Sequence, residues 1–221
     1  MELEALKSIW SDLDQKLDRN WKLNMEVIRN TNLDKAKGKM RSLVFVISTA
    51  IAFYGVFAMY LAHLAATSWN SWSVVVSCVI LGIWSFAIVI TSIHELVMIN
   101  EINYSESIIL VQKKVTNIKL AIIKYMRIGA WILPFHFAFV ILFFKILFDV
   151  DIVEVGDKIW LLSNLAIGVV VFLPAAIWIH RKLSPENADK DWMNAVLQGQ
   201  GSQINDAIKF MDEIQSFENS K

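Results

Sequence analysis

The chain has 221 residues and a formal net charge of zero; 56% of its residues are hydrophobic, 19% are charged, and the mean hydropathy is +0.47. That composition excludes an ordinary soluble domain of this length and points to a membrane class. Charge is unevenly spread as well, with no Lys, Arg, Asp or Glu from Ser42 to Ile93.

The front of the chain reads ELEALKSIWSDLDQKLDRNWKLNMEVI. Leu3, Leu6, Trp10, Leu13, Leu17, Trp21, Met25 and Ile28 recur at spacings of three and four, which is one face of an α-helix over about seven turns. Asp12, Asp14, Lys16, Asp18 and Arg19 occupy the other faces. A stripe of this kind needs a cover, because a lone amphipathic helix is marginal in water. The first 41 residues are too long and too polar for the leading region of a cleavable signal, so the first apolar segment is expected to remain as an anchor.

Four segments reach the roughly 20 apolar residues that a helix needs to cross a hydrocarbon core. They run from about Leu43 to Leu64, Ser73 to Ile93, Ile128 to Phe148 and Ile159 to Ile179. Helices are required because lipid offers no partner to backbone N–H and C=O groups. TSWNSWS (67–73) is a turn between the first pair, with Trp69 and Trp72 suited to headgroup level. DVDIVEVGDK (149–158) separates the second pair and has Gly156 to turn on.

The stretch between the second and third segments has no Gly or Pro from His94 to Arg127. The second segment is expected to continue to about Asn103, with a turn at Tyr104–Ser107 in which Ser105 or Ser107 caps the next helix. Ile108, Val111 or Gln112, Val115, Ile118 or Lys119, and Ile122 give that returning helix an apolar stripe. In the tail, Ser184-Pro185-Glu186 is a helix start. Gly199 and Gly201 then break the chain before a final amphipathic helix carrying Ile204, Ile208, Met211, Ile214 and Phe217.

Basic residues set the orientation. The first 41 residues carry nine Lys or Arg, the 94–127 segment five and the tail after Ile179 five, against none in the first turn and only Lys158 in the second. The positive-inside rule then puts both termini and the middle loop in the cytoplasm. The Lys35, Lys37, Lys39, Arg41 cluster is read as facing lipid headgroups rather than nucleic acid.

Chemistry is sparse. No phosphate-cradling glycine loop, H-E-x-x-H, G-x-S-x-G or C-x-x-C occurs, so no enzyme, cofactor or metal is expected. Cys78 is the single cysteine and reads as a small buried hydrophobe. Ionisable residues inside apolar helices are the usual mark of a transport path. Lys145, one turn from the end of the third segment, reads as snorkelling to the interface. His136 reads as a histidine facing its neighbours in a helix kinked at Pro134, with a proton or ligand site as the sharper alternative. His94, Glu95 and His180 end the second and fourth segments at the same side and can meet there as a metal or pH site.

Three features stand together: the ELEALKSIW opening, the INEINYSESIILVQKK stretch and the four apolar segments. In this the chain resembles a family of four-span inner-membrane proteins of Bacteroidota. The matching residues are Leu3, Leu6, Ile9 and Trp10 in front, and Ile102, Tyr104, Ser105, Ile108, Val111, Gln112 and Lys113 in the middle. The acidic residue that usually precedes the aromatic is Asn103 here. Members of that family are often encoded beside an extracytoplasmic-function sigma factor, so the resemblance implies a location in the bacterial inner membrane and a membrane anti-sigma role.

The resulting expectation is an all-α integral membrane four-helix bundle with cytoplasmic helical extensions. It divides into an amphipathic helix (1–41), two spans (42–93), a helical hairpin (94–127), two spans (128–180) and a tail with short helices (181–221). A regulatory or scaffold protein would bind a cytoplasmic partner, such as a sigma factor, through Leu6, Trp10, Leu13, Leu17 and Trp21. In the alternative, the front helix packs on its own chain or in a homodimer, with Asn20 and Asn24 falling in the seam. A small transporter around His136 and Lys145 is the third reading.

Overall fold

The computed structural model describes residues 2–188, 190–197 and 202–218, and their side chains apart from 2–6, 8, 11 and 218. The described elements are helical, and no strand occurs among them.

Helix α1 runs unbroken from Glu2 to Thr67. At 1.5 Å per residue it is about 99 Å long. The boundary expected after residue 41 therefore falls inside one helix. The physical reason is that the chain's three prolines all lie beyond residue 133, and Gly38 and Gly55 alone do not stop a helix held by packing. Helix α2 (Trp72–Asn100) returns alongside it. After a short turn, α3 (Ile108–Gly129) leads through a 3₁₀ segment at Ala130–Phe135, which contains Pro134, into α4 (His136–Phe148).

A one-turn helix α5 (Ile152–Val155) fills the second turn. The fourth apolar segment is α6 (Lys158–Ile167), a π turn at Gly168–Phe172, and α7 (Leu173–Lys182). A 3₁₀ turn at Pro185–Asn187 precedes α8 (Asp191–Val196) and α9 (Ser202–Glu218). Four helical stretches are long and apolar enough to cross a membrane. Many of their large side chains face outward, including Phe45, Phe53, Ile83, Phe86, Phe143 and Val170. Water would not tolerate so continuous an apolar surface on a monomer.

Two cores organise the molecule. At the end away from the termini, Leu61, Val74, Cys78, Leu81, Phe137 and Ile141 pack together. At the end bearing the termini, Leu33, Ala36, Met40, Leu43 and Ile47 of α1 meet Val111, Val115, Ile118 and Ile122 of α3 and Ile204, Ala207, Met211 and Ile214 of α9. The tail is thus a wall of this second core. The expected stripe of α3 is buried as a unit, together with Lys119, whose Nζ donates to Asn194 Oδ1 at 3.4 Å.

Local chemistry explains the turns. Neither Ser105 nor Ser107 caps α3 through its side chain; Asn103 Oδ1 instead accepts from Ser105 N at 3.0 Å. Asn and Asp make this side-chain turn alike, so Asn103 preserves what an acid would do there. In the second turn the residue with positive φ is Asp149 (53°), while Gly156 is extended. Gly156 answers a close approach instead, since a Cβ there would lie 2.3 Å from Ile152 O. Asp151 ties the two turns together: its carboxylate accepts from the hydroxyls of Ser71 and Ser73 and from Val153 N.

Candidate partner-binding arm

The apolar seam of α1 does not end at Ile28. It continues through Leu33, Ala36, Met40, Leu43 and Ile47, each at most 6% exposed. Helix α9 covers this continuation, running antiparallel to α1. Lys39 pairs with Asp206 at 2.6 Å, Lys35 lies over the Phe210 ring at 5.5 Å, and Asn32 Nδ2 donates to Glu213 Oε2 at 3.3 Å. The order 39, 35, 32 against 206, 210, 213 fixes the direction. Ala36 and Ala207, both fully buried, let the two backbones approach. Two of the lysines expected to face headgroups are therefore turned to α9, and Lys37 sits over the Tyr104 ring at 5.5 Å.

Cover runs out where α9 does. Trp21 stacks on Phe217 with centroids 6.3 Å apart, one residue before the helix ends. N-terminal to it, Ile9, Trp10, Leu13 and Leu17 are 58%, 63%, 45% and 63% exposed. Of the expected binding face, Trp10, Leu13 and Leu17 thus lie on an open ridge, Trp21 is half-buried against Phe217 of α9, and the side chain of Leu6 lies outside those described. The ridge stands on a rigid support, because the same helix is clamped from Leu33 to Ile47. The arm from Glu2 to Asn20 is about 28 Å long.

The other singled-out residues are dispersed. His136 and Lys145 lie nine residues apart on α4, about 13 Å along its axis, and make no common site. His136 fills a notch opposite Gly168, with its ring 4.5 Å from that of Phe172 and Nδ1 buried without a hydrogen-bond partner. An added Cβ at Gly168 would meet Pro134 O at 3.0 Å, so the kink of the third segment and the π turn of the fourth fit one against the other. Lys145 Nζ reaches Asp149 Oδ1 at 2.6 Å, toward the turn. The hydrogen bond from Lys145, and then its charge, hold the Asp149 carboxyl below the usual carboxylate range.

His180 does not meet His94 and Glu95 as a metal site. Its ring lies between Arg127 Nη2 at 2.9 Å and Trp131 Nε1 at 3.1 Å. Both neighbours only donate, and a neutral imidazole has one accepting nitrogen, so it satisfies one of them at a time. His94 packs edge-on against Tyr125. No group of three or more His, Cys, Asp or Glu fit to hold a metal occurs among the described residues.

What sequence reasoning missed is the pairing of α9 with α1. The signal was present: Ile204, Ala207, Met211 and Ile214 repeat the three-four spacing of Leu33, Ala36, Met40, Leu43 and Ile47, with small residues on both. Fold and arm together define a protein whose described elements are all helical, with four membrane-length apolar helices and an open apolar ridge on an extended helix. No family model, no curated protein and no solved structure matches the chain.

Proposed function

We propose that this protein is a membrane-anchored regulatory or scaffold protein that holds a protein partner through the arm of α1. The observation that carries the reading is the ridge of Ile9, Trp10, Leu13 and Leu17, left open beyond the point where α9 ends. A helix presenting Trp and Leu at this spacing is a helix-in-groove ligand, with the aromatic as its anchor. The four apolar helices support a multi-pass membrane protein, the distribution of Lys and Arg supports both termini lying on the cytoplasmic side, and the resemblance supports a bacterial inner membrane. The resemblance to Bacteroidota proteins encoded beside sigma factors supports a sigma factor as the partner. Held at the bilayer, it is kept from RNA polymerase.

The test is capture of a co-expressed extracytoplasmic-function sigma factor by the full-length chain in detergent. Trp10→Ala with Leu17→Ala abolishes capture and leaves thermal stability unchanged; Trp21→Ala lowers stability through the lost contact with Phe217. Capture that survives the first pair removes the ridge as the binding face. The same seam also suits a second copy of the chain, and a dimer in detergent that the Trp10/Leu17 pair converts to monomer would establish that reading instead.

A further inference from the structure

Where the apolar stretches of α1 and α2 meet α3, a cavity of about 190 Å³ lies among the three helices. Its polar lining is Tyr54, Thr91, Ser92, Glu95 and Tyr125. Glu95 is only 5% exposed, and it takes part in none of the ion pairs or hydrogen bonds made among the described residues. Ser92, 8% exposed, also has no hydrogen-bond partner among them. Thr91 donates to Ile88 O at 2.9 Å and keeps its lone pairs for another donor. The two tyrosine rings are held edge-on, Tyr54 by Trp84 and Tyr125 by His94.

The charged form of a carboxylate on so buried a residue, open only to a small cavity and without a counter-charge or protein donors, is disfavoured unless a cation meets it, and polar groups in such places are otherwise nearly always paired. Basic groups on the neighbouring helices are turned elsewhere: Lys114 pairs with Glu106 at 2.9 Å, Lys119 donates to Asn194, Arg127 Nη2 meets His180 while its Nε is buried without a partner, and the His94 ring packs edge-on against Tyr125. One carboxylate and several hydroxyls turned to one space therefore call for a guest that brings a single positive charge and hydrogen-bond donors. The volume is several times the roughly 30 Å³ share of one water molecule, so a bare alkali ion would leave most of it unfilled. The rest of the wall includes Ala50, Ile88 and Ile122, which suit an alkyl group.

We propose that this cavity binds a small organic ammonium ion, with the Glu95 carboxylate as counter-charge, the Ser92 and Thr91 hydroxyls as acceptors and the apolar wall against its alkyl part. The site is separate from the arm and does not depend on the partner reading.

The experiment is calorimetric titration of the full-length protein in detergent with butylammonium chloride, and with butanol and sodium chloride at matched ionic strength. Butylammonium binds and raises the melting temperature, while butanol and sodium do neither. Glu95→Gln keeps the shape of the side chain, folds, and weakens binding at least about tenfold, the loss expected for a buried charge-assisted contact. Ser92→Ala weakens it severalfold and serves as the second readout should Glu95→Gln not fold. Butylammonium binding that is unchanged in either variant, a response to sodium alone, or no heat with any probe overturns the proposal.

Discussion

Asp151 carries more structure than any other single side chain in the far turns. Burial pushes its carboxyl up, but donation from Ser71, Ser73, Val153 N and Glu154 N outweighs this and holds it below the ordinary carboxylate range. A group with a depressed folded-state value stabilises the fold above its unfolded value, near pH 4, and that stability is lost as pH falls through the folded value. The melting temperature is therefore expected to fall on acidification below pH 4, with a shallower acid limb in Asp151→Asn. Asp151→Ala also removes the cap of α5 and should cost about 1–2 kcal/mol, read by thermal unfolding in detergent. Sequence reading found the acidic turn but not this hub, because a serine in one turn carries no mark of an aspartate about 80 residues away.

Among elements, the pairing of α1 with α9 decides which part of the long helix is structural. Ile214 and Met211 are fully buried against it, whereas Lys209 is exposed. Ile214→Ala should cost about 2–5 kcal/mol by leaving a cavity, while Lys209→Ala should stay within about 0.5 kcal/mol, as measured by denaturant unfolding in detergent. Protease cleavage between Trp21 and Met40 should rise in the first variant only. The helices themselves, the kink at Pro134 and the returning stripe of α3 were legible from period and composition, since these are local properties of the chain. Which apolar face covers which was not, because a stripe states that it needs burial without naming its cover. Trp10 and Trp21 look alike in sequence, and only the end of α9 at Glu218 separates them.

At the scale of the whole molecule, two cores sit at opposite ends of the apolar helices, and exposed tryptophans mark the ends of those helices, with Trp69, Trp72 and Trp160 at one and Trp131 and Trp178 at the other. The proposed orientation has a direct check. Glu154 and Glu186 are both exposed and lie toward opposite ends. A membrane-impermeant thiol reagent applied to intact cells should label Glu154→Cys and not Glu186→Cys, with the buried Cys78 silent in both; the reverse pattern would invert the topology. The unbroken course of α1 has one more consequence. From Arg41 to Trp10 the helix extends about 46 Å, so a tilt of about 5° of the helix together with the core that clamps it swings Trp10 by about 4 Å. Such a rod works as a pointer: under the proposed function, a slight rocking of its apolar half becomes, at the tryptophan tip, a displacement wide enough to engage or release a partner.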